Sequence, residues 1–473
     1  MVTLRHDQRQ LWEGFFAEEA EQWMEPWMRR ADELLDDESL LDRVYEAQGR
    51  RRPKSRRRGR KQTPAEVALR LAVLKHVRNW SFEETEREVR ANVVYRQFTR
   101  IGAEKVPDAK TMGRLVQALG PEVVQQIHQR LVEMAQEKKV VRGRKLRVDT
   151  TVVETNIHYP TDSSLLGDGA RVLTRTMKKI TALIPQCGTG TRLRDRMRSI
   201  GRRVMEIART SRSKGPQVQE RMKQGYRRLL TATRKVVNQA KRFRDEMASG
   251  VKRAADRNQQ AVLQVLREEL ETMLPRVQQV LRQTKARVLG GDVHVPDKLV
   301  SVFEPSTEVI RKGKASKPTE FGKMVKIQEA ENQIITDYEV YPKRPSDSDL
   351  LVPSVEKHQQ QFGQVPHLVA GDAGFYSAPN ERELEQMGVK QISVPNRSTK
   401  NPERRRHQKK RWFRKGQKWR TGSEGRISVL KRRHGLNRCR YRGDAGMHRW
   451  VGLGVIADNL INIGRCLASQ NTG

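Results

Sequence analysis

Lys145-Leu146-Arg147-Val148-Asp149-Thr150-Thr151-Val152-Val153-Glu154 is the stretch on which the fold turns. Leu146 and Val148 alternate with Arg147 and Asp149, the period-two pattern of a strand with one apolar and one polar face. Asp149 therefore faces away from the Leu146/Val148 side. A second apolar run, His367-Leu368-Val369-Ala370, leads to Asp372, and Glu424 opens a predicted helix with Arg420 four residues before it and Lys431 seven after. Three carboxylates in such settings suit metal-dependent phosphoryl transfer. Mg²⁺ takes oxygen ligands and usually keeps several waters, so a few carboxylates plus substrate phosphates can hold it. Two such ions, about 3.5–4 Å apart, stabilise both the attacking and the leaving oxygen of an in-line displacement. Each acid also has a plain alternative. Asp149 and Asp372 could be turn residues, and Glu424 could merely favour the positive end of its helix.

Composition narrows the partner. The 473 residues include 94 Lys and Arg against 56 Asp and Glu, a formal net charge of +38 spread along the chain. Such an excess fits a polyanion, with steeply salt-dependent binding; charge that merely keeps a soluble protein monomeric is the alternative. Aromatic residues make up only 5%, which favours phosphate contacts along double-stranded DNA over stacking on single-stranded bases. Cys187, Cys439 and Cys466 form no CxxC pair, pointing to a reducing compartment and away from structural zinc. No apolar stretch is expected to reach the roughly 20 residues of a membrane span. The opening Met1-Val2-Thr3-Leu4-Arg5-His6-Asp7 lacks the pattern of a secretory signal, so an intracellular protein without a membrane partner is expected.

Along the chain, residues 1–49 read as an N-terminal helical segment and 50–62 as a basic linker, either solvated or an arm on a DNA backbone or minor groove. Residues 63–140 read as a helical DNA-binding domain or a plain helical packing domain. Its signals are Thr63-Pro64 as N-cap and N1, the capping box Ser81-Phe82-Glu83-Glu84, and Asp108 as a cap. Residues 165–295 form a basic, all-α insertion of stacked helices without sustained heptads. Residues 141–164 and 296–473 form an α/β core. Within it are expected a strand Leu299–Phe303, a hairpin of 323–328 with 334–341, helices over 347–362 and 378–387, a strand 391–394, a basic loop 396–418, and helices 424–433 and 448–467. If the strands carrying Asp149 and Asp372 are parallel neighbours, their carboxylates meet at one sheet edge. The helix bearing Glu424 would then add a third oxygen ligand. Glu154, Asp162 and His158 lie near the first strand and read as structural before they read as ligands.

Three stretches carry a family likeness: Arg147–Glu154, Gly371-Asp372-Ala373-Gly374-Phe375-Tyr376-Ser377, and Arg420–Lys431. With Phe98–Thr111 and the tail Gly443–Leu467, they resemble an insertion-sequence transposase of the DDE type. The resemblance implies a ribonuclease-H-like catalytic core, a mixed sheet flanked by helices. It also implies a triad of Asp149, Asp372 and Glu424 binding two Mg²⁺ ions, with Mn²⁺ as a substitute. It further implies recognition of terminal inverted repeats, DNA cleavage and strand transfer, a homodimer pairing two element ends, and a cytoplasmic, nucleoid-associated prokaryotic setting. Arg420 and Lys431 match the Arg and Lys of a motif found in many of these enzymes, while its Tyr falls at Gln417. Trp419 is a candidate for base stacking. Arg404, Arg405, Arg406, Lys409, Lys410, Arg411 and Arg414 are candidate phosphate contacts beside the site. A non-catalytic DNA-binding protein, including a decayed transposase, an RNA-binding or RNA-processing protein, and a structure-specific nuclease with the same core are the rival readings.

Overall fold

Strand β1 (Lys145–Glu154) forms the middle of a six-stranded mixed sheet. The computed structural model describes residues 1–5, 19–51, 62–183, 193–250, 257–292, 294–311 and 319–470. The remaining strands are β2 (Glu308–Arg311), β3 (Thr319–Glu329), β4 (Ile335–Val340), β5 (Leu368–Ala370) and β6 (Gln391–Ser393). Their order is β2-β3-β1-β5-β6, with β4 also pairing with β3. β1 runs antiparallel to β3 and parallel to β5, which is in turn parallel to β6. The expected hairpin is β3 and β4, turning through Glu331–Gln333, where Asn332 and Gln333 take positive φ.

Alternation along β1 divides two cores. Leu146 and Val148 pack with Val369, Ile392, Val355 and Leu384, under helices Leu351–Phe362 and Ala378–Gln386. On another cluster Val153, Val325 and Ile327 meet Leu430, Trp450 and Val451 from helices Arg411–Arg433 and Gly443–Gln470. Fully burying each such side chain contributes about 1.5–3 kcal/mol before entropy is counted.

The chain divides into two units, Met1–Asn156 with Ile310–Gly473, and Ile157–Val309. In the first, helices Pro26–Leu34, Glu38–Arg51, Ala65–Val77 and Ala109–Glu137 share one apolar core with Leu453, Ile456, Leu460 and Ile463 of the last helix. Helix Ala65–Val77 is buried on every side. The capping box at Ser81 is present, with Glu84 N–H donating to Ser81 Oγ at 3.1 Å and Ser81 N–H to Glu84 Oε2 at 2.7 Å. Asp108 caps its helix through Thr111 N–H at 2.7 Å. The second unit stacks helices Asp162–Leu183, Met197–Thr210, Val218–Gly250 and Arg257–Thr284 around Leu166, Leu173, Leu229, Val236, Leu270 and Val277.

Several expectations need correction. Leu299–Phe303 is not a strand. Gln283 takes the place of a strand partner, its amide donating to the Leu299 carbonyl and accepting from the Leu299 N–H, both at 2.9 Å, while Val302 packs among the helices. The basic loop 396–418 is largely helical, as Pro402–Lys409 and the first turns of Arg411–Arg433. Glu424 therefore sits inside a helix and does not open one. The last helix, Gly443–Gln470, is long and apolar enough to cross a membrane by composition, contrary to the sequence reading, yet 72% of its apolar window is buried within the protein. Residues 6–18 and the basic run 52–61 lie outside the described residues.

Buried charge helps hold the helices of the first unit together. Arg70, with 0% of its surface exposed, bonds Asp32 and Asp36 and lies 3.5 Å from Glu66, while Arg100 joins the same acids. Removing one partner of such a network strands the others. Arg70→Ala is expected to destabilise the protein by about 3–5 kcal/mol in urea unfolding. The exposed Arg87→Ala should leave the midpoint unchanged, and an equally mild effect at Arg70 would contradict this account.

Candidate active site

Arg147 and Asp149 share the face of β1 that meets helix Arg411–Arg433. Arg147 donates Nε–H to Glu329 Oε2 on β3 at 3.0 Å and Nη2–H to Glu329 Oε1. Its Nη1–H reaches the Trp419 carbonyl, and its guanidinium lies 4.9 Å from the Trp419 ring centre. The helix comes this close because glycines face the sheet. A Cβ at Gly422 would fall 2.5 Å from Arg147 Nη1, and one at Gly416 would fall 2.6 Å from Ser393 Cβ. Gln417 pins the same helix from its other flank, donating to the Gly371 carbonyl at 3.2 Å and the Ser393 carbonyl at 2.5 Å.

The parallel register pairs Lys145 with Leu368 and Arg147 with Ala370. Continued by two residues, it brings Asp149 level with Asp372. Asp372 lies just beyond β5 and caps the short turn Ala373–Phe375, accepting from Gly374 N–H at 2.8 Å. Helix Arg411–Arg433 supplies the rest. Arg420 lies 2.8 Å from Glu424 Oε1, 3.4 Å from Asp149 Oδ2 and 3.8 Å from Asp372 Oδ2. One guanidinium thus touches all three sequence-predicted acids. Their side-chain exposure rises from 11% at Asp149 through 37% at Asp372 to 61% at Glu424, so Asp149 is the floor of the site and Glu424 its rim.

Asp149 is also held by Ser423 Oγ–H at 2.9 Å and Thr150 N–H at 2.8 Å. Burial pushes its pKa above the ordinary aspartate value. Arg420, Ser423 and Thr150 oppose that shift, and the neighbouring Asp372 adds to it. A fourth carboxylate, Asp347, was missed by the sequence reading. It accepts from Thr150 Oγ–H at 3.0 Å, and its Oδ2 and Asp372 Oδ1 lie 3.3 and 3.1 Å from the point where a Gly374 Cβ would stand. The signal was present as Ser346-Asp347-Ser348-Asp349, but it reads equally well as the start of a helix.

These acids line a cleft of about 1510 Å³ that is also lined by Arg311, Arg344, Lys431, Arg432, Arg438 and Arg440. The donor set is all carboxylate oxygen, which suits a hard divalent cation. It already converges on one positive group. Among the described residues no three acids, histidines or cysteines stand close enough to chelate a metal directly; Arg420 lies among the three. A cation bound by them all would replace that guanidinium.

The other sequence candidates are dispersed. Arg404 is a tie between elements, bonded to Glu381 and to the Val394 carbonyl at 2.9 Å, with its guanidinium over Tyr376. Arg405, Arg406, Lys409, Arg411 and Arg414 are exposed on the two helices that replace the expected loop, and Lys410 is exposed between them. Trp419 has its ring against Arg147. Glu154 pairs with Arg438 at 3.1 Å. In the helical unit Asp162 pairs with Arg287 at 2.6 Å and His158 lies 3.5 Å from Asp168.

Two family models match the chain. The Transposase domain (DUF772) matches residues 17–118, and the Transposase DDE domain matches residues 299–460. The second span includes Asp372, Arg420, Glu424 and Lys431, while Asp149 lies outside both. Comparisons with curated proteins and with solved structures found no match.

Two outcomes are expected. A carboxyl with a raised pKa binds its proton more tightly in the native than in the unfolded state. Its folded form therefore loses relative stability as pH rises from the ordinary value of about 3.9 through the raised one. Without divalent ions, Asp149→Asn should gain stability on wild type as pH rises through that window, measured as urea midpoints; a constant difference would contradict it. Gly422→Ala should cost about 1–3 kcal/mol by forcing Arg147 off Glu329. Gly425→Ala, with open space around its Cβ, should instead gain the helix-propensity benefit of up to about 1 kcal/mol.

Proposed function

The chain belongs to the DDE-type insertion-sequence transposases, and we propose that it cleaves and rejoins double-stranded DNA at the cleft holding Asp149, Asp372 and Glu424. The observation that carries this reading is the convergence of those three acids, separated widely in sequence, on the single guanidinium of Arg420. The sheet order, with β1 antiparallel to β3 and parallel to β5, fits a ribonuclease-H-like core.

In this reading Asp149, Asp372 and Glu424 hold two Mg²⁺ ions, with Mn²⁺ able to substitute. Bound there, they would supply activation of a water or a DNA 3′-OH as nucleophile and stabilisation of the departing 3′ oxygen. The chain's own groups do the positioning. Ser423 and the Thr150 N–H fix the Asp149 carboxylate, so its free lone pairs face the cleft. Arg420 would be free to fork onto a phosphate beside the scissile bond once a cation took its place among the acids, and Lys431, two helical turns beyond Glu424, would act as a point charge. Arg432, Arg438 and Arg440 continue that positive wall, so a phosphodiester backbone can run from the acids along the cleft. The exposed cations between Arg405 and Arg414 extend the contact surface. Gln417, turned inward to the Ser393 carbonyl, is not free to meet DNA as the Tyr of the motif would.

The substrates are the terminal inverted repeats of the element and a target duplex, brought together by two copies of the chain in the nucleoid-bearing cytoplasm of a prokaryote. With DNA carrying the repeats that flank this reading frame, Asp149→Asn, Asp372→Asn and Glu424→Gln should each reduce Mg²⁺-dependent cleavage and joining to background. End binding in EDTA should stay within a few-fold of wild type. Full activity in any one variant would remove that residue from the site, and cleavage without joining would favour a nuclease.

A further inference from the structure

Helices Met197–Thr210 and Val218–Gly250 of the helical unit leave a groove between them, about 370 Å³ in volume, that the catalytic reading does not use. One side carries Arg196, Ser199 and Arg203, spaced by three and four residues on a single helical face. The other carries Arg227, Arg228, Thr231 and Lys235, again at three- and four-residue spacing. Five cations and two hydroxyls thus border one shallow channel, with no aromatic ring among them. Among the described residues two acids pair into the set. Glu206 lies 3.0 Å from Arg203 and 3.8 Å from Arg228, and Glu220 lies 2.9 Å from Arg227. Arg196 also keeps a buried Nε–H without a hydrogen-bond acceptor.

We propose that this groove is a second nucleic-acid site, which grips the phosphate backbone of duplex DNA without reading its sequence. The chemistry of the lining decides the ligand class. Guanidinium forks and an ammonium match phosphodiester oxygens. Ser199 can donate to the same oxygens, while the Thr231 hydroxyl already donates to the Arg227 carbonyl at 2.9 Å. The lack of aromatic rings leaves no platform for splayed bases, which sets a single strand apart from a duplex. The helical insertion then has a task of its own: it adds non-specific affinity for DNA lying outside the catalytic cleft. This rests on the reading of the chain as a DNA-handling protein but not on its three acids.

The test uses the full chain in EDTA, so that no reaction at the carboxylates contributes, and a random-sequence duplex whose binding is followed across a range of NaCl concentrations. The groove variant combines Arg196→Gln, Arg203→Gln, Arg228→Gln and Lys235→Gln. The control removes the same charge from exposed positions of the same helices, with Arg198→Gln, Arg202→Gln, Arg209→Gln and Arg221→Gln. A smaller variant, Arg228→Gln with Lys235→Gln, changes only exposed side chains and guards against misfolding. The groove variant should lose about tenfold or more in affinity at physiological salt. Its log–log salt slope should flatten by about 0.9 for each phosphate contact removed. The smaller variant should show part of that change and the control little of it. Equal losses in groove and control variants, or an unchanged slope in a folded groove variant, would overturn the proposal. Failure of the catalytic reading would appear separately, as unaltered cleavage in Asp149→Asn.

Discussion

Arg147 is the hinge pin of the candidate site. A buried guanidinium is tolerable only when its donors are answered, and here they are answered by Glu329 on β3 and by the Trp419 carbonyl on helix Arg411–Arg433. That arrangement presses the helix onto β1 next to Asp149. From Trp419 onward the helix has no freedom to turn, so Arg420, Ser423 and Glu424 point where they do. The helix accepts two glycines on its inner face to come this near, giving up helix propensity for proximity.

Charge in the site is arranged against the trend of the molecule. A chain with net charge +38 gathers Asp149, Asp347, Asp372 and Glu424 in a cleft that is also lined by six arginines, Arg420 among them, and by Lys431. Asp149 is buried enough to be raised in pKa, and it stays poised only because Arg420, Ser423 and Thr150 compensate. A buried carboxylate with a raised pKa costs stability where it is ionised, which is how binding sites commonly differ from the rest of a fold. Asp347, bonded to Thr150 and close to Asp372, extends the acidic set beyond the triad.

The parts legible in the sequence are those with a local pattern. Alternation in Lys145–Glu154 reveals a strand and the side on which Asp149 lies. The constant offset between Arg147–Ala370 and Asp149–Asp372 follows once the two strands pair in parallel. Ser81 and Asp108 announce their helices through backbone caps. Helix Arg411–Arg433 is less legible because its inward face is built from Phe413, Gly416, Ser423, Arg426 and Leu430, with too few apolar residues to show a period. Glycines and charged residues that read as loop are there the contact surface. Leu299–Phe303 misleads for the opposite reason, since an apolar run can pack on helices with a glutamine in place of a neighbouring strand. Asp347 is hidden by serving as an ordinary-looking turn acid. The shared core of the N-terminal helices and the last helix depends on contacts between the two ends of the chain, which no local window reports.

The most direct test of the account is anomalous diffraction from crystals of the protein soaked in Mn²⁺. The expected result is a manganese peak within bonding distance of the Asp149 and Asp372 carboxylates, with the Arg420 side chain moved away from them. A fully soaked crystal with no peak there, and with Arg420 still lodged among the three acids, would contradict it.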